Sequence, residues 1–312
     1  MTDSPSRGLS YDRVVPIFLI VFVDVLGLTI ILPLLHLYGA VYGATPLQIG
    51  LVAAAFPLAQ LIGVPLMGAL SDRFGRKPLL LISQVTTFVG FIILALSNSL
   101  WMVIFSRVLD GVFGANLATA QAALSDVTDD KTRAQGLGLT GAAFGLGFLF
   151  GPVIALVSLE LSDSLALPAY IAAAYSFCSI LLTIFIFKET LPPEQRQQQT
   201  NRRAPVFNPL VVASMIRRPG LGVLLLLMFA QQVIFFGFEA LLGLFTLSRL
   251  GLLGQGNALI FLMVGGVLVY VQVRRIGPWS RKYGEHRLVQ MSLALLALGL
   301  AAWPFVLNRR WL

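Results

Sequence analysis

The sequence predicts an all-α integral membrane protein. Three observations predict it: the composition, the length of the apolar runs and the placement of the basic residues. Of 312 residues, 57% are hydrophobic and 12% charged, with a mean hydropathy of +0.85; soluble chains carry about 25% charged residues. A helix crossing ~30 Å of hydrocarbon needs about 20 apolar residues. Runs of that kind fall near 14–35, 48–70, 79–97, 101–123, 136–158, 167–187, 220–245, 257–273 and 288–307. Of the 22 Lys and Arg, 18 lie in the N-terminal tail and in the loops after the second, fourth, sixth and eighth runs. The loops after the first, third and fifth runs have none. This is the positive-inside asymmetry, and it puts the N-terminus in the cytoplasm.

The first run has no small-residue cleavage site after a short core, so it reads as a retained span. The net charge of +8 then reflects topology and contact with membrane lipids, and nucleic acid is not an expected partner. Cys178 is the single cysteine, which excludes an intrachain disulfide and a thiolate metal cluster. No cofactor is expected. The sequence has no P-loop to drive transport by ATP. Without an H-E-x-x-H or a nucleophile elbow, it is not read as an enzyme.

Between the second and third spans runs Gly68-Ala69-Leu70-Ser71-Asp72-Arg73-Phe74-Gly75-Arg76-Lys77, followed by Pro78. A basic stop-transfer loop accounts for Arg73, Arg76 and Lys77 but not for both glycines and Asp72. Glycine permits close backbone approach, and Asp72 is placed to cap the helix that follows. A weaker copy, Gly277-Pro278-Trp279-Ser280-Arg281-Lys282-Tyr283-Gly284-Glu285-His286, lies 209 residues further on, with Arg281 in the place of Asp72. Such a repeat implies two related halves. The stretch 188–219, opening on Lys188-Glu189-Thr190-Leu191-Pro192-Pro193 and rich in Gln, Arg and Pro, reads as the linker between them. The expected organisation is a six-helix bundle over 1–187, a cytoplasmic linker over 188–219 and about three helices of a second bundle over 220–312. The repeat calls for three further helices after Leu312, so a truncated product or fragment is expected.

Ionisable residues inside the spans are few. Asp24 lies ten residues past Val14, about 15 Å along a helix, and Asp110 nine residues past Trp101, about 14 Å along a span running the other way. Both acids therefore fall near the midplane, and Arg107 shares the helix face of Asp110. A charge at that depth costs about 2.5–3.5 kcal/mol on insertion scales, so such residues pair or face a cavity. A network of Asp24, Arg107 and Asp110 is expected, in which one arginine leaves one carboxylate free to accept a proton. A static ion pair that fixes helix packing is the alternative.

The fifth span carries Gly141, Gly145, Gly147 and Gly151 in small-xxx-small pairs, then Pro152. The glycines suit close helix packing, and the proline permits a bend. In the seventh span Glu239 is the sole acid, near Gln231, Gln232, Phe235, Phe236 and Phe238. Polar groups among aromatics suit an amphipathic or cationic organic substrate; lipid-facing packing is the alternative.

Gly68 through Pro78 resembles the signature between the second and third helices of the major facilitator superfamily, in the form typical of its drug:proton antiporters. Asp24-x-x-Gly27 followed by Pro33 is similar to their first-helix signature, and Arg107-x-x-x-Gly111-x-x-Gly114-Ala115 to their fourth. Gly147-x-x-x-Gly151-Pro152 is similar to their fifth-helix motif, with Ala155 and Leu156 replacing its closing glycines. The resemblance implies a major facilitator fold and alternating access in the plasma (inner) membrane. It also implies efflux of small organic compounds in exchange for protons, as in tetracycline and multidrug efflux proteins. By the same resemblance Arg107 assists proton transfer. The resemblance further implies that Gly68, Asp72, Arg73, Gly75 and Arg76 form a cytoplasmic gating loop and that Asp126 is the acid of its latch; a solvated acid at a helix end is the alternative for Asp126. The family often has Gln or a small residue where Asp110 stands, so either Asp24 or Asp110 is left as the proton carrier. The competing expectation is a truncated, non-transporting membrane protein, inert or an assembly partner.

Overall fold

The computed structural model describes residues 11–129, 132–162, 164–194, 196, 214, 217–218, 220–245 and 254–302, and all regular structure among them is helical. Helix α1 (Tyr11–Ile31) passes through a 3-10 turn at Leu32–Leu34, where Pro33 sits, into the short α2 (Leu35–Val41). Thr45 and Gln48 form a capping box that starts α3 (Pro46–Phe74). Then come α4 (Arg76–Ala95), α5 (Leu100–Phe113), α6 (Asn116–Val127), α7 (Arg133–Leu161) and α8 (Ala166–Phe185). Among the described residues six segments are long and apolar enough to cross a membrane: α1, α3, α4, α5 with α6, α7 and α8. The later expected spans appear as α9 (Leu221–Phe245), α10 (Gly254–Tyr270) and α12 (Glu285–Ala302). A π-helical turn (Val271–Arg275) leads from α10 into α11 (Ile276–Tyr283).

Two features depart from the sequence reading. The expected loop over 68–77 is almost entirely helix: α3 runs through Phe74, α4 begins at Arg76, and Gly75 alone makes the turn. Its φ of +105° is one that side-chain-bearing residues rarely adopt. Gly284, 209 residues on, makes the same one-residue junction between α11 and α12 with φ +75°, so the repeat extends to the backbone. The second departure is in the fourth span, which is interrupted at Gly114–Ala115 between α5 and α6.

The helices of the first bundle pack α1 on α7 and α8, α4 on α8 and α5, and α3 on α5. Lipid tails are as apolar as a leucine side chain, so burial alone does not hold such helices together; close approach through small residues does. Gly63 of α3 lies against the main-chain carbonyls of Gly111 and Val112 in α5, and Gly111 lies against Phe56 and Ala59. In α7 the glycines serve two faces. Gly147 and Gly151 admit Val25 and Thr29 of α1, while Gly145 admits the backbone of Val269 in α10. Gly265 of α10 lies against the backbone of Leu149, completing that contact. Thus α7, buried in the first bundle on one side, is also the surface on which α10 rests. On α9, Leu226 and Phe229 are exposed, as suits a helix whose surroundings are hydrocarbon.

A methyl group at Gly63 or Gly111 has no room between α3 and α5. Gly63→Ala and Gly111→Ala are each expected to destabilise the bundle by about 1–3 kcal/mol, the usual range for overpacking. Gly50→Ala, where a Cβ meets nothing within 4 Å, should lose nothing. Thermal unfolding of the purified protein in detergent checks all three.

Candidate functional site: a helix-end latch and a buried ion pair

At the α3–α4 junction, Arg76 is the first residue of α4 and is only 5% exposed. Its Nη1 donates to Asp72 Oδ1 at 2.6 Å and to Ser71 Oγ at 3.1 Å, both in the last turn of α3. Its Nε donates to Asp126 Oδ2 at 2.9 Å, in the last turn of α6. One planar guanidinium thus ties three helix ends with charge-assisted bonds in a fixed fork.

Asp72, expected to cap α4, is committed to Arg76 instead. The cap comes from Glu189, just beyond α8: its Oε1 accepts from the main-chain N–H of Arg76 at 2.9 Å and its Oε2 from that of Lys77 at 3.1 Å. A carboxylate suits a helix N-terminus, where N–H groups lack partners and the dipole is positive. A Cβ at Gly75 would meet Glu189 Oε2 and the Arg196 guanidinium, so this glycine is required by space as well as by φ. Arg196 pairs with Glu189 at 3.2 Å and donates to Phe74 O. In return Lys77 Nζ donates to Ile184 O at 2.9 Å and Phe187 O at 2.8 Å, satisfying carbonyls at the end of α8. Thr190 Oγ1 donates to Asp126 Oδ2 at 3.1 Å. Gly68 has open space where a Cβ would stand, and Arg73 lies over the Phe74 ring at 5.2 Å; neither joins the latch.

In the bundle interior, Arg107 is 1% and Asp110 3% exposed, with Nη1 and Oδ2 separated by 3.5 Å. Thr87 Oγ1 of α4 donates to Asp110 Oδ1 at 2.7 Å, and Asn116 Nδ2 donates to Thr87 Oγ1 at 3.3 Å. The Arg107 guanidinium also lies over the Phe91 ring at 5.3 Å, a cation–π contact in a desolvated place. Asp24 is outside this pair. Both its carboxylate oxygens are buried with no formed hydrogen bond. The expected three-member network is therefore one ion pair, with Asp24 a second buried acid outside it.

The break between α5 and α6 follows Asp110 by one turn. The backbone groups it frees find side chains: Ser83 Oγ donates to Phe113 O at 2.6 Å and accepts from Ala115 N at 3.3 Å. Gln60 Nε2 donates to Gly114 O at 3.3 Å. Irregular backbone within a membrane is tolerated where protein satisfies it in this way. Of the expected substrate-cavity residues, Gln231 and Gln232 are exposed on α9. The side chains of Phe235 and Glu239 lie outside the described residues, and Gly141 and Pro152 lie within α7.

Sequence reasoning missed Glu189 as the cap and Ser83, Gln84 and Thr87 as partners of the interior. The available signals were four polar residues, Ser83, Gln84, Thr86 and Thr87, within five positions of an apolar span, and an acid two residues after the sixth span.

The chain belongs to the Major Facilitator Superfamily, whose family model matches residues 17–311. It is similar to the "Tetracycline resistance protein, class B" of Escherichia coli, 30% identical over 251 residues, which cover 75% of this chain and 61% of that protein. It is also similar to "Multidrug resistance protein 2" of Bacillus subtilis, 27% identical over 274 residues, 88% of this chain and 68% of that protein. The crystal structure of the human organic anion transporter MFSD10 shares the fold. Its TM-score is 0.68 at 23% identity, over 88% of this chain and 74% of that one. The chain thus spans less than two thirds of the length of the class B protein.

Removing Arg76 strands two acids at the latch. Arg76→Gln is expected to cost about 3 kcal/mol, the low end for breaking a buried pair, because the Asp72 side chain is 48% exposed. Arg73→Gln is expected to stay within about 0.5 kcal/mol, as for other surface substitutions. Unfolding midpoints in detergent separate the two.

Proposed function

We propose that the chain is a proton-coupled efflux antiporter of small organic compounds, working by alternating access. The observation that carries this reading is the set of buried interior charges: two acids and one base, with Arg107 paired to Asp110 and Asp24 left without a formed hydrogen bond. A lone arginine balances one carboxylate, and the other can then take up and release a proton as the site is exposed to either side. The tetracycline and multidrug resistance relatives support organic compounds as the exchanged substrate.

In this reading residues 1–187 form the first bundle, 188–219 the linker and 220–312 part of the second bundle, with the N-terminus cytoplasmic in the plasma (inner) membrane. The one-residue junction at Gly75 and the Arg76 latch then lie on the cytoplasmic side. The latch holds α3, α4 and α6 together while the other side is open, and its release accompanies rocking of the bundles. The contact of α7 with α10 is the surface on which the two halves meet.

The test is drug-driven proton movement in inside-out vesicles containing the chain. Adding a transported compound from a broad drug panel should collapse an imposed proton gradient in the native chain. The Asp24→Asn plus Asp110→Asn variant should give no response. A flat trace for every compound with the native chain, or an unchanged response in the double variant, would contradict the proposal.

A further inference from the structure

The Asp110 carboxylate sits in a seat to which α4, α5 and α6 all contribute. Gly90 of α4 faces its Cβ, and a Cβ at Gly114, in the break between α5 and α6, would stand 2.9 Å from Asp110 Oδ1. Thr87 Oγ1 donates to that same oxygen at 2.7 Å and accepts from Asn116 Nδ2 at 3.3 Å. Asn116 is the first residue of α6. Six residues apart on an unbroken helix, Asp110 and Asn116 would point about 120° away from each other. The break at Gly114–Ala115 lets both reach one hydroxyl. Asp24 has no such seat, since both its oxygens are buried without a formed hydrogen bond.

The direction of the Thr87 hydroxyl follows from its partners. A carboxylate only accepts, so the hydroxyl donates to Asp110, and the Asn116 amide occupies a lone pair on the same hydroxyl oxygen. Thr86, its neighbour, instead turns its hydroxyl back to Ile82 O, as helical threonines often do. The other buried polar side chains of this part of α4 are committed elsewhere. Gln84 Nε2 donates to Ser179 Oγ of α8 at 2.7 Å, and Ser83 serves the break itself. Thr87 is thus the α4 side chain that holds Asp110, and Arg107 is the charged group paired with it. From α3, Phe56 and Ala59 lie against Gly111, and Gln60 is bonded to Gly114 O. From α2, which also meets α5, Tyr38 donates to Leu165 O, and the side chain of His36 lies outside the described residues.

We propose that Thr87, oriented by Asn116, is the positioning residue that holds Asp110 as the fixed counter-ion of Arg107 and so leaves proton exchange to Asp24. Asn116 acts through Thr87, and neither touches the proton itself. The two interior acids are told apart by their partners. One oxygen of Asp110 accepts from a hydroxyl and the other faces the guanidinium, so protonating it disrupts bonds already made. Asp24 has none to lose. The break in the fourth span is then a condition of the site, because it is what brings Asn116 to Thr87. This inference rests on the reading of the chain as a proton-coupled antiporter.

The test is labelling of the purified full chain in lipid with dicyclohexylcarbodiimide, an apolar reagent that adds to protonated carboxyls, with the labelled sites read by peptide mass spectrometry. In the native chain Asp24 should be labelled and Asp110 spared. Thr87→Val keeps the shape and removes the hydroxyl; it should raise labelling of Asp110 about tenfold, as the loss of a hydrogen bond to a charged group implies. Asn116→Leu should raise it by less, and Thr87→Ser should keep Asp110 spared. Ser176→Ala, which loses a bond to the Gln84 main chain on the α8 side, should also leave Asp110 spared, so that general loosening of the bundle is told apart from loss of the Thr87 bond. Labelling of Asp110 in the native chain, or no gain at Asp110 in Thr87→Val, overturns the positioning role and leaves an interior acid as the proton carrier. A native chain in which neither acid is labelled overturns the proton-coupled reading as well.

Discussion

An ionised side chain inside a membrane has no water to lean on, and the arrangement of the first bundle follows from how this chain meets that constraint. Arg107 and Asp110 lie on one face of α5, three residues apart, so they can pair without help from another helix. That pair still needs its remaining hydrogen-bond capacity filled, and Thr87 of α4 and the Phe91 ring supply part of it. The choice of neighbours is thereby restricted: α4 must present Thr87 to α5 while presenting Gln84 to α8. The small residues of α3, α5 and α7 let the backbones come close enough for these short polar side chains to reach.

The same logic of satisfied polar groups governs the end of the bundle at Gly75. A one-residue junction leaves the first N–H groups of α4 without partners and gives Gly75 no side chain to cap them. Glu189 caps them from beyond α8, and Lys77 caps α8 in return. The two helices therefore exchange caps, and the stretch that leaves the sixth span is bound to the same three helix ends as Arg76. Thr190 and Arg76 share one oxygen of Asp126. Where the chain leaves the first bundle, it does so through the latch itself.

Much of this was legible in the sequence. Hydropathy marked the spans, because an apolar run of about 20 residues has few other uses. The repeat at an offset of 209 proved good to the residue, since Gly75 and Gly284 both make a single-residue turn with positive φ. Arg76 and Asp126 could be linked only through family resemblance, as nothing in their spacing brings them to 2.9 Å. Glu189 was invisible as a cap because its partners lie more than a hundred residues away in sequence. The break at Gly114–Ala115 was hidden by hydropathy, which does not distinguish a continuous helix from two short ones. Asp24 was expected at the depth of Asp110, but depth says nothing of azimuth, and the ion pair that forms is Arg107 with Asp110. Expected capping by Asp72 failed for a related reason: α3 continues past it, so its side chain meets Arg76 first.

The central claim is that Arg107 belongs to Asp110 and not to Asp24. Double-mutant cycles on the unfolding of the purified protein test it directly, using Arg107→Met with Asp110→Leu and Arg107→Met with Asp24→Leu. The account predicts a coupling of about 1–3 kcal/mol for the first pair, as for residues in contact, and one within about 0.5 kcal/mol for the second. A coupling between Arg107 and Asp24 as large as that between Arg107 and Asp110 would contradict it.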